Sequence, residues 1–241
     1  MMKFVLKSMV SLTLLSGLAQ AETVTKNFDT PQVKKLVVSN GSGKVTISTS
    51  PSGKSMAAAD KIKVDETCVI VMEQEGTTLK VSTEAKGLIK KECEVNFDIQ
   101  VPQLVDLDIK MGSGKATVKD TKGKLNYRTG SGSLDFMGEA TEVNGAAGSA
   151  DVTIKGLVGN GDLKSGSGDI NVTYTQVPTA AKLDIKSGSG DATVSLPEAS
   201  KLKVSQKSGS GKLSNAFATA ADAGITIDSK SGSGDLNIIK N

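Results

Sequence analysis

The tripeptide Gly-Ser-Gly recurs along the chain and limits the folds that the chain can adopt. Its first glycine stands at Gly41, Gly112, Gly130, Gly166, Gly188, Gly209 and Gly232, and Gly148-Ser149-Ala150 is a degenerate copy. From Gly112 onward, successive copies follow at intervals of 18, 18, 18, 22, 21 and 23 residues. Such a period is typical of a solenoid, in which each repeat stacks on its neighbours.

Apolar residues align into columns when the repeats are superposed on this first glycine. Spacing by two residues within each column pair is the period of a strand. Four residues after the glycine stand Val45, Ala116, Leu134, Val152, Ile170, Ala192, Leu213 and Leu236, and six after it stand Ile47, Val118, Phe136, Ile154, Val172, Val194, Asn215 and Ile238. Two further columns precede the glycine by five and three residues. Each repeat is therefore predicted to be a strand, a glycine corner and a second strand.

The glycines fit the corner itself, because glycine reaches positive φ at no steric cost and stacked corners leave little room for side chains. A phosphate-binding glycine loop would instead need a helix after the glycines. Here each tripeptide runs into another strand pattern, which argues against that alternative.

Charged residues form a column on either side of the corner. Two residues before the glycine stand Lys110, Arg128, Lys164, Lys186, Lys207 and Lys230, with Ser39 and Ala146 as interruptions, and three after it stand Lys44, Lys115, Ser133, Asp151, Asp169, Asp191, Lys212 and Asp235. Stacked like charges repel, and a neighbouring stack of opposite charge is expected to relieve the repulsion. Two interpretations stay open: a solvated face, or a striped surface that binds an acidic or zwitterionic glycan. The candidate ligand residues are Lys164, Asp169, Lys186, Asp191, Lys207, Lys230 and Asp235.

Two other kinds of site use aspartates in repeated sequences. A calcium roll also has 18 residues per turn, but lysine replaces the aspartate in several repeats, and a cation cannot serve as a ligand. A polysaccharide-cleaving enzyme would use Asp169 and Asp191 with Lys164 and Lys186 nearby. Catalytic sites are usually local and irregular, whereas these residues belong to repeated columns, so binding is favoured over catalysis. No cofactor site is predicted.

The first 21 residues have the layout of a secretory signal peptide, with Lys3 and Lys7, an apolar stretch and Ala19-Gln20-Ala21 before Glu22. Export to the periplasm or the extracellular space is therefore expected. No membrane span is expected in the mature chain, because no later stretch is long and apolar enough. Without Lys3 and Lys7 the chain has 27 basic and 26 acidic residues. This balance gives no support for a nucleic-acid partner.

The interval from Gly41 to Gly112 differs from the repeats. Lys61 to Met72, Thr77 to Thr83 and Glu92 to Pro102 alternate like strands, with a hairpin turn at Glu75-Gly76. We expect this part to cover the first open end of the stack. Cys68 and Cys93 are the only cysteines, and in an exported chain they are expected to form a disulfide.

The chain ends in a predicted strand, Asp235 to Ile239. As the last element of the stack it would leave an unpaired edge. That edge would be available for self-association, or a segment from Ala216 to Ala223 would cap it. Light scattering on a variant that lacks residues 232–241 tests the self-association hypothesis.

The run from Val101 to Phe136 and the KSGSGD units that follow resemble a bacterial domain-of-unknown-function family labelled putative adhesin. The segment from Ser39 to Ile47 fits the same pattern. The resemblance implies an exported, single-domain parallel β-helix or solenoid of right-handed type, with no catalytic residues to carry over. The strand pattern predicts an all-β chain, and the copies of the corner predict about seven to eight rungs. Residues 22–241 would form this domain, with an irregular part at 22–105 and regular repeats at 106–241. The partner would be a glycan, another envelope component or a protein.

Overall fold

The computed structural model describes residues 22–29, 32–85 and 92–241. The predicted signal peptide at 1–21 lies outside the described residues. The regular elements in the described part are 18 strands. They are β1 (Thr23–Phe28), β2 (Lys35–Asn40), β3 (Lys44–Thr49), β4 (Ser55–Val64), β5 (Cys68–Glu75), β6 (Thr78–Ala85), β7 (Cys93–Val101), β8 (Asp106–Met111), β9 (Lys115–Thr129), β10 (Ser133–Ala147), β11 (Val152–Ser165), β12 (Ile170–Tyr174), β13 (Ala181–Ser187), β14 (Ala192–Leu196), β15 (Leu202–Ser208), β16 (Leu213–Asn215), β17 (Ile225–Ser231) and β18 (Leu236–Lys240).

Each Gly-Ser-Gly corner joins two strands that together form one rung. Strands that precede the corners pair with one another in what we call the upstream sheet, and strands that follow the corners pair in the downstream sheet. The long strands β9, β10 and β11 belong to both, because each begins in the downstream sheet, bends and ends in the upstream sheet. Eight rungs pair in parallel, which confirms the predicted all-β solenoid.

The core lies between the two sheets and consists of the predicted apolar columns. Val152, Ile170 and Ala192 are direct partners in adjacent rungs, and each is at most 2% exposed. Burying a branched aliphatic side chain of this size stabilises the fold by about 1.5–3 kcal/mol. The spacing by two residues therefore identified both the strands and their inner faces.

The order of the last rungs differs from the order of the chain. Strand β13 pairs with β17, and β17 pairs in turn with β15. Strand β18 lies in the same way between β14 and β16. The final rung of the sequence, β17–β18, is thus inserted one place inward, and the preceding rung, β15–β16, forms the end of the stack.

The predicted unpaired edge at Asp235 to Ile239 is consequently wrong, because β18 has a parallel partner on both sides. The segment predicted as the cap, Ala216 to Ala223, does lie at this end of the stack, but it covers β15 and not Asp235 to Ile239. The Ala220 N–H donates to the Leu202 carbonyl oxygen at 3.0 Å, and Phe217 packs against the core. The segment after β16 therefore crosses the end of the stack and covers one end of β15.

The part between Gly41 and Gly112 covers the opposite end, as expected. Strand β6 pairs in parallel with β2, and β7 with β3. Outside these, β5, β4 and β1 pair antiparallel. Gly76 has a φ of 56° in the turn between β5 and β6, which confirms the predicted hairpin.

Lys61 to Met72 is two strands and not the single strand that its alternation indicates. The chain turns at residues 65–67, where the Asp65 carboxylate accepts the Thr67 N–H at 2.8 Å. A short polar side chain that bonds the backbone two residues on is a turn signal. It outweighs the apolar alternation on either side.

Cys68 and Cys93 form the predicted disulfide, with a Cα–Cα distance of 5.3 Å. Cys68 begins β5, at the outer edge of the upstream sheet, and Cys93 begins β7 in the downstream sheet. The bridge therefore ties the two sheets together at the first end of the stack.

Candidate functional site: the outer face of the upstream sheet

The corner sequence KSGSGD closes upon itself and stacks on its neighbours. The Ser231 hydroxyl donates to the Gly234 carbonyl oxygen at 2.7 Å, and Ser165 and Ser187 make the same bond across their corners. A Cβ added at Gly188 or Gly190 would collide with a backbone carbonyl oxygen of the preceding rung. The first serine and the two glycines of the hexapeptide are thus required by the corner.

The aspartates that follow the corners form a carboxylate ladder, which consists of Asp151, Asp169, Asp191 and Asp235. Each carboxylate accepts the backbone N–H of the next residue in the ladder, at 2.8–2.9 Å. The last carboxylate, that of Asp235, accepts the N–H of Lys212 at 2.7 Å. These aspartates hold rungs together, which the sequence alone did not indicate.

The expected pairing of this aspartate column with the lysine column does not occur among the described residues. The acids that lie beside the lysines stand four residues before the glycine, on the same outer face. In the lysine column, Lys164 Nζ lies 3.4 Å from Asp162 Oδ2. Asp184 instead pairs with Lys182, which lies outside the column, at an Nζ–Oδ2 distance of 3.0 Å. The column at four before the glycine was missed because it contains Asn126, Asn144 and Ser205 as well as acids.

A lysine column follows the outer face of the upstream sheet on four successive rungs, in the order Lys164, Lys186, Lys230 and Lys207. All four side chains are exposed. In the described part of the chain, Lys186, Lys230 and Lys207 have no acidic oxygen within 4 Å. Neighbouring strands lie about 4.8 Å apart, so the column presents a cation at that interval over about 14 Å.

A depression of about 420 Å³ lies at the Lys164 end of this column, beside the small residues of the degenerate repeat. Gly145 and Ala146 are among the residues that line it, and their positions carry larger side chains in the neighbouring rungs. The residues that line it are Asp108, Lys110, Asn126, Tyr127, Arg128, Asn144, Gly145, Ala146, Asp162 and Lys164.

Tyr127 packs its ring into the space that Gly145 leaves, because a Cβ at Gly145 would overlap the ring. The side chain is 3% exposed, and its hydroxyl has no hydrogen-bond partner among the described residues. Burial, and to a smaller extent the negative charge of Asp162, raises the pKa of the Tyr127 hydroxyl well above its usual value. The group is therefore a neutral donor at physiological pH.

The predicted ligand residues divide into two sets. Lys164, Lys186, Lys207 and Lys230 share the outer face of the upstream sheet, and Lys164 also borders the depression. Asp169, Asp191 and Asp235 lie beyond the corner in the carboxylate ladder. The degenerate repeat was visible in the sequence, so a rung that departs from the consensus is the signal that would have located the depression.

The comparisons with known proteins agree with this architecture. The model of the Toastrack DUF4097 family matches residues 21–241. The chain belongs to this family. No curated protein matches it.

Two solved structures resemble the fold of this chain at low sequence identity. A putative adhesin from Bacteroides fragilis is 14% identical and has a TM-score of 0.58, over 90% of this chain and 97% of that one. A putative lipid binding protein from Parabacteroides distasonis is 15% identical and has a TM-score of 0.50, over 93% of this chain and 98% of that one. At this identity the likeness shows the fold.

Within the described ranges, no helix has the length and apolar character needed to cross a bilayer. The same ranges contain no group of three or more His, Cys, Asp or Glu side chains placed to hold a metal ion.

Proposed function

We propose that this protein is an exported, non-catalytic binding module that presents the outer face of its upstream sheet to an anionic polysaccharide of the cell envelope or its surroundings. The observation that carries the proposal is a row of three lysines that have no ion pair within the described ranges, Lys186, Lys230 and Lys207. An extended polyanion can follow such a row because the cations repeat at every rung. Exposed lysines bind individually weakly, and several in a line add their contributions.

The acids on the same face favour a polymer whose negative charges are spaced apart over one whose charges are dense. Asp184 and Asp228 flank the lysines and both lie within 4 Å of Lys182 Nζ. A dense polyanion such as nucleic acid would meet these carboxylates as well as the lysines. A polysaccharide with one acidic group and several hydroxyls per residue is compatible with both.

The test compares two triple variants of the purified protein that remove the same charge. Lys186→Gln, Lys207→Gln and Lys230→Gln remove the lysines from the proposed face, and Lys44→Gln, Lys119→Gln and Lys155→Gln remove three exposed lysines of the downstream sheet. Binding to immobilised polygalacturonate, with dextran as the neutral reference, is measured at low and physiological salt. We expect the first variant to lose about tenfold in affinity, which corresponds to about 1.4 kcal/mol, and the second to lose little. Equal loss in both variants, or no preference for polygalacturonate over dextran, would refute the proposal.

A further inference from the structure

The column two residues before the corner glycine is continuous except at one rung of its interior. Lys110, Arg128, Lys164, Lys186, Lys230 and Lys207 occupy six rungs in their stacked order, and Ala146 lies between Arg128 and Lys164. Because neighbouring strands lie about 4.8 Å apart, the strands that carry Arg128 and Lys164 are about 10 Å apart. The depression opens in this gap.

The groups around the gap are of two kinds. Lys110, Arg128 and Lys164 supply positive charge, and the Arg128 guanidinium has no ion pair among the described residues. A guanidinium binds a carboxylate through two parallel hydrogen bonds. The amides of Asn126 and Asn144 lie beside these cations and both donate and accept hydrogen bonds.

Two residues that line the depression each carry a buried polar atom without a partner in the described part of the chain, and we take these atoms as its floor. They are the Tyr127 hydroxyl and Asp162 Oδ1. A hydroxyl donor and a carboxylate acceptor are complementary to a sugar hydroxyl, which can accept from the first and donate to the second. Buried polar groups are almost always hydrogen-bonded, so these two atoms point to a polar ligand that reaches the floor.

From this geometry we infer that the depression binds a single carboxylate-bearing sugar residue, with its carboxylate at Arg128 and Lys110 and its ring hydroxyls at Asn126, Asn144 and the floor. The inference rests on the proposed function, since such a residue is the unit of an acidic polysaccharide. The lysine column then continues the path of the polymer away from the site. A second depression shares Lys110, Arg128 and Ala146 with the first and extends to the glycine corners, which leaves room for a neighbouring sugar.

Ala146→Lys is the decisive variant. It restores the column, so the strand keeps the residue type that its neighbours carry, and the new side chain fills the gap. General attraction of anions would increase with the added charge, whereas a site in the depression would be blocked. The two explanations therefore predict changes of opposite sign.

The experiment titrates the purified protein with galacturonate, galactose and acetate and follows amide chemical shifts. We expect galacturonate to perturb the amides of residues 126–128, 144–146 and 162–164, with galactose and acetate each binding at least tenfold more weakly. Ala146→Lys and Arg128→Gln should each reduce galacturonate affinity at least tenfold. Tyr127→Phe should reduce it severalfold, whereas Tyr174→Phe, at a tyrosine whose hydroxyl already donates to the Gly159 carbonyl oxygen, should not.

The results separate this inference from the proposed function. If Ala146→Lys abolishes galacturonate binding and preserves binding to polygalacturonate, the site and the lysine column act independently and both stand. If Ala146→Lys binds galacturonate as well as or better than the parent protein, the depression is not the site, and the inference fails even where the lysine variants bear out the polymer proposal. Equal affinity for acetate and galacturonate would also overturn it, because the sugar hydroxyls would then contribute nothing.

Discussion

At the scale of single residues, the repeated hexapeptide serves both structure and surface. The corner requires the first serine and the two glycines of the hexapeptide, and the aspartate belongs to the carboxylate ladder. Among the described residues, the lysine side chain makes no ion pair within its own corner. Residues that repeat equally in the sequence therefore differ in their structural roles. The aspartates bond the backbone of neighbouring rungs, whereas the exposed lysines can contact a ligand.

Asp191 tests the assignment of the ladder to structure. Asp191 Oδ1 accepts the Asp235 N–H at 2.8 Å. In Asp191→Ala water replaces the carboxylate as the acceptor of this exposed N–H, and we expect the free energy of unfolding to fall by about 0.5–1.5 kcal/mol. Asp191→Asn keeps a carbonyl oxygen in the same place and should cost less than about 0.5 kcal/mol. Urea denaturation measures both, and an equal loss in the two variants would contradict the ladder.

The same pair of variants distinguishes a ladder from a binding residue. Asp191→Asn removes the negative charge and retains the hydrogen bond, so its binding to polygalacturonate should equal that of the parent protein. Had Asp191 belonged to the ligand face, as the repetition of the sequence indicates, the loss of charge would alter binding. The sequence could not decide this, because the acceptor role depends on the rung that lies next to Asp191 in space.

At the scale of elements, the ladder gives a physical reason for the order of the last two rungs. In chain order, Lys212 would stand between Asp191 and Asp235, and it has no oxygen to accept the next N–H. In the observed order the four aspartates are consecutive, and Lys212 ends the ladder as a donor. The β15–β16 rung also has Gln206 and Asn215 where β17 and β18 have Ser229 and Ile238. A rung with more polar inner positions is better placed at the end of the core.

The rung order can be tested by engineered cysteines on the outer face of the downstream sheet. Thr193 and Asn237 are direct partners in β14 and β18, whereas Ser214 lies one strand further out, opposite Asn237. Partners across adjacent strands are about 4.8 Å apart, within the range that a disulfide spans. We expect Thr193→Cys with Asn237→Cys to cross-link upon oxidation, and Thr193→Cys with Ser214→Cys to remain reduced. Peptide mass spectrometry reads the outcome, with the Cys68–Cys93 bridge as an internal reference, and the reverse pattern would mean that the rungs follow chain order.

Elements that depend on local sequence were predicted correctly, and features that depend on contacts between rungs were not. The strands, their inner faces and the corners are local, so the spacing of Val152, Ile170 and Ala192 was sufficient to predict them. The insertion of β17–β18 depends on which rung accepts the N–H groups of which neighbour, and the spacing of the repeats along the chain does not fix that order. The depression was missed for a related reason. Gly145 and Ala146 leave a gap only because the larger side chains of Arg128 and Lys164 lie in the rungs on either side.

At the scale of the whole molecule, the two ends of the stack are closed by different means. At the first end, β6 and β7 pair in parallel with β2 and β3, and the antiparallel strands β5, β4 and β1 lie outside them. The Cys68–Cys93 bridge links β5 to β7 at this end. At the other end, β15 has one strand partner in the described chain, and the segment at Thr219 and Ala220 covers it only near Leu202. The remaining edge carries Lys203, Lys207 and Lys212, all exposed. Lysines on an edge strand discourage pairing with another chain.

The last prediction concerns that edge. Lys203→Thr and Lys207→Thr remove its charge, and Lys212→Asp adds a carboxylate that can accept an N–H from an incoming strand. We expect this triple variant to form dimers or longer assemblies as its concentration rises, while the parent protein stays monomeric, as measured by size-exclusion chromatography with light scattering. Lys164→Thr, Lys186→Thr and Lys44→Asp change the net charge equally on strands that already have two neighbours, and this control should remain monomeric. Assembly of the control to the same extent would show that lowered charge, and not a released edge, causes the association. A monomeric edge variant would show that the segment at 219–220 closes the end by itself.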